Sequence, residues 1–503
     1  MRVLRARRMG VPVRRALENP KVTVSVVFVV AMFMNILDTT IVNVALPRIS
    51  LQFHVVAAST ATVATGYLIS LAVFIPAAGW LGDRFGTKRM FMIALALFTT
   101  ASALCGFAES LSELILFRVI QGAGGGMLMP VGLAMLYRTF PPNERLRASK
   151  ILVIPTAVAP AMGPVLGGLL VDQLSWRWVF LVNVPIGIAA FAFGLRYLRK
   201  QVTECVGRFD IAGFLFAGVG LGMLMFALSE GSSKGWGSPE ILGALVLSAG
   251  SLTALVATEL RISWPMLDLR LFGNRLFRQS NVVMMFAFGG FFGVLFVFPL
   301  LMQDGLGLSA FQSGLNTFPE ALGVMLSSQV LVSRLYPTVG PRRLMAGGAT
   351  AVAVLAIVLG TIGLSTNLWL VRLLMFGLGF SMANVFLPAQ TAAFATISPA
   401  QTGQASSLFN ATRQTAGALG VAVLGTILVG VGITSRTAAG VVEPHLLAYH
   451  LAFFVAGGLT LVGGLFAVRV HDGDAASTMR PVARDDDPDA QVEAEELVGA
   501  SSP

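Results

Sequence analysis

The chain has 503 residues, of which 55% are hydrophobic and only 12% charged, against about 25% charged in a typical soluble domain. That balance, with apolar runs of about 20 residues recurring from end to end, excludes a soluble globular protein. The formal charge of +10 would suit nucleic acid in a soluble chain, but here the basic residues stand in short loops between apolar runs and read as topology signals.

In lipid each backbone N–H and C=O must be satisfied within its own segment, so the chain is expected to be an all-α polytopic membrane protein. Fourteen transmembrane helices are predicted. The first six run over Val22–Ala45, Thr60–Leu81, Met90–Phe107, Leu111–Tyr137, Ala148–Val171 and Trp178–Leu198. Two more follow at Ile211–Ser229 and Ile241–Leu260, and the last six at Asn281–Gln303, Gly314–Leu335, Arg343–Leu364, Leu368–Phe394, Gln404–Val431 and Leu446–Val468. The N-terminus carries Arg2, Arg5, Arg7, Arg8, Arg14, Arg15 and Lys21, and alternate loops on that side are also rich in arginine. The opposite loops hold only Arg48, Arg177, Lys234 and Arg436, so both termini are expected to be cytoplasmic. The basic start runs into a span of full length and is not read as a cleavable signal.

The first span carries a lone carboxylate, Asp38, within Asn35–Pro47. A charge near the bilayer centre costs about 2.5–3.5 kcal/mol, so it generally faces a cavity and has a task, which for an acid is commonly to bind and release a proton. Between spans two and three stands Gly79-Trp-Leu-Gly-Asp83-Arg84-Phe-Gly86-Thr-Lys88-Arg89. On the residues alone it is either a set of charges that locks in one conformation or a basic loop with a tight turn at Gly86. Span four contains Arg118, in Phe117-Arg-Val-Ile-Gln-Gly122-Ala-Gly. It needs a partner or a water-filled cavity, or it satisfies carbonyls at a helix contact. Span five holds Pro160, Gly163, Pro164, Gly167 and Gly168, which permit bending or close packing.

Later in the chain, Glu320 follows Pro319 early in span ten. It is either a second proton site or counter-ion, or a residue in water near the outer surface. Cys105 and Cys205 suggest no disulfide or metal site. No Gly-x4-Gly-Lys-Ser/Thr motif for nucleotide is present, and no cofactor is expected. The two halves also match at a nearly constant offset: Arg118 with Arg372, Phe85-Gly86 with Val339-Gly340, and Gly163 and Gly168 with Gly420 and Gly425. Duplication around an inserted pair implies two bundles with a site between them. The expected organisation is a basic N-terminus (1–21), a six-helix bundle (22–200), an inserted two-helix linker (201–265), a second six-helix bundle (266–470) and an acidic, disordered tail (471–503) without a transport role.

The loop from Gly79 to Arg89 resembles the signature loop of the major facilitator superfamily, with Thr87 where a basic residue is common. The Arg118 stretch is similar to that family's proton-transfer motif, and Gly163-Pro164 with Gly167-Gly168 to the element of its antiporters. Leu37–Pro47, Trp176–Gly187 and Asn410–Gly420 resemble the fourteen-helix drug:proton antiporters, often called EmrB/QacA-type. This resemblance covers about residues 22–470 and implies the major facilitator fold. It also implies that Asp38 couples to protons, that Arg118 tunes that acid, and that Asp83, Arg84 and Arg89 stabilise an outward-facing state. Arg413, on the same pattern, is expected near the cytoplasmic end as a structural anchor. The implied protein is no enzyme but a monomeric exporter in a bacterial cytoplasmic membrane. It would be driven by the proton gradient, with lipophilic cationic drugs as cargo. A dedicated exporter of one metabolite, antibiotic or lipid, and a non-transporting scaffold or sensor, are the alternatives.

Overall fold

The computed structural model describes residues 19–55, 57–199, 207–436 and 442–479. The N-terminal arginines up to Arg15, Lys200, Cys205 and the acidic residues from Asp485 to Glu496 lie outside them.

The chain forms a succession of long helices: α1 (Pro20–Phe53), α2 (Ala57–Phe85), α3 (Thr87–Phe107), α4 (Leu111–Thr139), α5 (Val153–Gln173) and α6 (Asn183–Tyr197, led by a turn over Trp178–Leu181). Then come α7 (Ile211–Lys234), α8 (Pro239–Glu259), α9 (Arg275–Leu300), α10 (Ala310–Leu326), α11 (Pro341–Leu359), α12 (Leu368–Ala393), α13 (Thr402–Val431) and α14 (Leu446–Ala467). Among the described residues twelve helices are long and apolar enough to cross a membrane; α5 and α10 are the other two of this series. Polar side chains set the starts: Asn19 and Ser110 accept from the first turns of α1 and α4, and Ser309 and Gln312 form a reciprocal capping box on α10. α1 passes through Pro47 and ends at His54, whose left-handed backbone (φ 54°) closes the helix on Ser50 O. That is two turns beyond the predicted Ala45. A short antiparallel ladder, β1 (Thr434–Arg436) with β2 (Val442–Pro444), joins α13 to α14.

Packing repeats between the halves. α1 lies on α5, α2 on α4, and α3 on α4 and α6, while α9 lies on α13, α10 on α12, and α11 on α12 and α14. Gly86 and Gly340 occupy matching places: each starts a helix with a positive φ, 88° and 83°, that an L side chain rarely adopts. A side chain at Gly163 would strike α1 at Thr40, and one at Gly420 would strike α9 at Gly289, so these two glycines seat corresponding helix pairs. The equivalence inside α4 and α12 is one residue off the sequence match. Gly124 and Gly377 face α3 and α11, and Gly126 and Gly379 face α2 and α10. The halves meet where α2 and α4 touch α13 and where α5 touches α10.

The inserted α7–α8 hairpin lies against α2 and α13 through α7. Glu230 accepts from Thr65 Oγ1 at 3.3 Å and Trp236 donates to Thr426 Oγ1 at 2.7 Å near one end. The start of the expected tail is not loose. Asp472 Oδ1 accepts the Arg342 N–H at 2.9 Å, Tyr336 and Thr478 pair their hydroxyls at 2.8 Å, and residues 472–479 form two short helical turns. The acidic Asp472 lies at the N-terminus of α11, where a helix favours negative charge.

Candidate functional site

Asp38 projects from the middle of α1 into the first half and is fully buried, as is Arg118 opposite it on α4. Arg118 Nη1 donates to Asp38 Oδ2 at 2.5 Å and to Gln121 Oε1 at 2.8 Å, and Arg118 Nε donates to Val63 O at 3.3 Å. Gln121 stands one turn beyond Arg118 on the same helix face. Its Nε2 donates to Asp38 Oδ1 at 2.9 Å, and Asn183 Nδ2 donates to the same oxygen at 3.2 Å. Ser102 Oγ accepts from Asn183 Nδ2 at 3.3 Å and donates to Phe180 O at 2.9 Å. The Arg118 guanidinium lies 4.1 Å from the centre of the Tyr67 ring. One carboxylate therefore answers three N–H donors from α4 and α6, inside a shell of aromatic and small side chains. Its geometry suits a group whose charge, once removed, leaves every neighbour mismatched.

Glycines bring these helices together. A side chain at Gly122 would lie 2.5 Å from Tyr67 O, and one at Gly126 2.5 Å from Leu71 O, so α4 meets α2 backbone to backbone. A side chain at Gly163 would strike Thr40, two residues past Asp38, and one at Gly167 would lie 3.1 Å from Ile41 O and Val44 Cγ2. Gly168 faces open space, Pro160 is half-buried, and Pro164 continues the same helix.

At the Asp83 end the halves are closed on each other. A side chain at Gly79 would lie 2.6 Å from Gly403 O, the Gly79 N–H donates to Ser407 Oγ at 2.8 Å, and the Asp83 carboxylate presses on Gly403 in the first turn of α13. The basic partner of Asp83 is Arg138, at 2.7 Å, which also donates to Pro399 O of the second half at 3.1 Å. Arg145 donates to Phe394 O and Ile397 O at the end of α12, and burial pushes its guanidinium below the ordinary value. Arg84 and Arg89, expected as lock residues, are exposed and make no ion pair among the described residues. Lys88 instead ties α3 to α6 by donating to Leu195 O at 3.3 Å and to Leu198 O. Arg138 and Arg145 read in the sequence only as loop charges, because the carbonyls they reach, Pro399 O, Phe394 O and Ile397 O, belong to the other half and Asp83 is 55 positions away.

Glu320 is buried on α10 in the second half and is not brought to Asp38. Arg372, the repeat partner of Arg118, donates to Asn316 Oδ1 on α10 at 3.0 Å, an amide from a different helix of the repeat than the one that carries Asp38. Arg413 lies well inside α13 and not at its end. It stands eleven residues past Thr402, about 16 Å along the axis at 1.5 Å per residue. Among the described residues it has no acidic partner. Gln121 and Asn183 are the site residues that sequence reasoning passed over. Both lay inside motifs already noticed, and a buried amide in an apolar span was the signal available.

Apolar helices in two similar halves, with the buried Asp38–Arg118 pair in the first and the halves closed on each other at one end, make the two-bundle architecture that membrane transporters use. The family model of the Major Facilitator Superfamily matches residues 28–421, and the chain belongs to that family. It is 34% identical over 412 residues to the multidrug resistance protein B homolog of Mycobacterium tuberculosis, covering 80% of this chain and 75% of that one. It is 30% identical over 410 residues to YhcA of Bacillus subtilis, an uncharacterized MFS-type transporter, covering 82% and 77%. The crystal structure of the human organic anion transporter MFSD10 superposes with a TM-score of 0.62 at 14% identity, covering 89% of this chain and 99% of that one, a likeness of fold.

Proposed function

We propose that the chain exports lipophilic, cationic small molecules in exchange for protons by alternating access, with Asp38 as the proton-binding group. The observation that carries this is the buried Asp38–Arg118 pair, joined at 2.5 Å inside a spanning bundle. When Asp38 takes a proton, Arg118 loses its counter-charge where water is scarce. Removing one charge of a buried pair costs about 3–5 kcal/mol. Movement of α4 relieves that cost, and α4 also packs on α2 and α13, so the same movement reaches the Asp83 end. A proton moving inward supplies about 2.3 kcal/mol per 100 mV and about 1.4 kcal/mol per pH unit, enough to drive a substrate uphill without a bound cofactor.

In this scheme α1–α14 all span the membrane, both termini are cytoplasmic, and the Asp83 end is the cytoplasmic gate. The closed contacts around Gly79, Asp83, Gly403 and Arg138 then belong to an outward-facing or occluded state. The chain acts as a monomer in a bacterial cytoplasmic membrane. Relatives named for multidrug resistance support the direction and the cargo.

The test is ethidium export from an efflux-deficient bacterium expressing the chain, with Asp38→Asn and an uncoupler as comparisons. Export abolished by both is expected. Dye retained by wild-type cells with verified membrane expression refutes multidrug export of such cations. A second cargo is favoured by Arg413, a cation in mid-helix without an acidic partner among the described residues: a molecule bearing an acidic group. Competition by anionic but not cationic compounds, lost in Arg413→Gln, selects that cargo.

A further inference from the structure

A pair of acids meets at the base of the inserted hairpin. Asp210 precedes α7, and its Oδ1 accepts the Gly213 N–H at 2.8 Å. Glu259 ends α8, and its Oε1 accepts the Leu267 N–H at 3.2 Å. They are 8% and 1% exposed. The point that a side chain at Gly213 would occupy is 2.7 Å from Glu259 Oε1 and nearer still to Asp210 Oδ2. The two carboxyl groups thus face each other across a space that only glycine leaves open.

Each carboxyl also keeps one buried oxygen without a hydrogen-bond partner, Asp210 Oδ2 and Glu259 Oε2. No cation answers them, for neither residue enters an ion pair among the described residues. Arg208, Arg261 and Arg270 are exposed, and Arg270 donates to Leu260 O and Ile262 O at 3.2 Å each. The remaining charged neighbour is another acid, Asp268, which accepts the Arg270 N–H at 3.1 Å. On α2, Phe74 and Trp80 pack by their rings against Phe214 and Phe209 at the base, while Asp83 pairs with Arg138 and Arg84 is exposed. On α13 the contact is the uncharged Gln404.

Two buried carboxylates this close cannot both ionise at low cost, and a buried acceptor without a donor costs about 1–3 kcal/mol. We propose that Asp210 and Glu259 hold one proton between them, making the hairpin base a proton-binding site separate from Asp38. A proton on either acid removes one of the two charges that face each other across Gly213. A divalent cation fits less well. It takes about six oxygens or more, each acid already gives one oxygen to a backbone N–H, and no cluster of three or more acidic, cysteine or histidine side chains exists among the described residues.

The site adjoins the closed end. Phe209, beside Asp210, packs on the Trp80 ring at 4.8 Å, and Trp80 follows Gly79. Pro265 O, between Glu259 and Leu267, accepts from Gln404 Nε2 at 3.2 Å, and Gln404 follows Gly403. The proton therefore holds the hairpin base against both helices that meet at Gly79 and Gly403, and its loss places two repelling charges there. None of this depends on the direction or cargo of transport.

The experiment uses the full chain, purified in lipid nanodiscs, with Glu259→Gln and Asp210→Asn beside it. Infrared difference spectra follow the carbonyl band of protonated carboxylic acids, and thermal unfolding is followed from about pH 6 to about pH 9. The folded pair keeps a proton that the unfolded chain has released, so the wild-type Tm should fall as pH rises. Glu259→Gln, whose amide imitates the neutral acid, should lose part of the band and show a flatter Tm against pH. Asp210→Asn, which keeps the cap, should behave alike if the first variant fails to fold. A wild-type Tm that does not fall over this range overturns the proposal whatever the variants do. So does a band and slope unchanged in a folded variant, and so does a Tm raised by Mg2+ in wild type but not in Glu259→Gln, which assigns a cation instead.

Discussion

Replacing Asp38 by asparagine changes no shape and removes one charge, and the surroundings specify the cost. Asp38 Oδ2 faces Arg118 Nη1 at 2.5 Å, and Oδ1 faces Gln121 Nε2 at 2.9 Å and Asn183 Nδ2 at 3.2 Å. An amide has one oxygen and one NH2, so either orientation turns donor against donor, and Arg118 keeps its charge at 1% exposure. Breaking a buried pair in this way costs about 3–5 kcal/mol. Arg118→Gln should cost a similar amount by stranding Asp38. The double variant removes both charges and should be more stable than either single one by about 1–3 kcal/mol. Thermal unfolding of the purified chains should rank wild type first, the double variant second and the two single variants last, and all three variants should lose proton-driven export. A double variant no more stable than the single ones would refute the pair as an energetic unit.

Other outcomes follow from the closed end and from α5. Gly79→Ala should place a methyl against Gly403 O, at 2.6 Å, and disfavour closure by about 1–3 kcal/mol; a thiol at buried Ser406 should then react faster, and unchanged labelling would count against closure there. Arg138→Gln breaks two bonds of the closed end at about 1–3 kcal/mol for a charged hydrogen bond, whereas Arg84→Gln, at an exposed site, should stay within about 0.5 kcal/mol. Thiol labelling that ranks them in reverse would return the lock to Arg84. Gly163→Ala should press on Thr40 and lower both Tm and ethidium export, at a cost of about 1–3 kcal/mol; adding Thr40→Ala should restore both, and failure of that rescue would remove the contact as the cause.

The acid in the first span and the arginine in the fourth were visible because a charge in an apolar run stands out against its neighbours. That they meet is consistent with their depths, yet the amides that complete the site were not legible, since Gln121 and Asn183 carry no charge to mark them. The gate shows the opposite failure. The motif marks Asp83, Arg84 and Arg89 alike, yet it is Arg138, which reads only as a basic loop residue, that meets Asp83. The motif position of Arg413 does not report its depth; the start of α13 at Thr402 does, and it lies eleven residues before Arg413.

The sequence by itself determined that this chain is helical, lies in a membrane and repeats itself, because lipid forces every segment to satisfy its own backbone and to stay apolar. Those demands are local and are written residue by residue. Which charges meet is decided by helices far apart in the chain: Asp38 and Arg118 are separated by 80 positions, and Arg138 reaches Pro399 across 261. Close approaches at Gly122, Gly126, Gly163 and Gly403 set those meetings. A missing side chain says that something comes close, and only the tertiary structure says what.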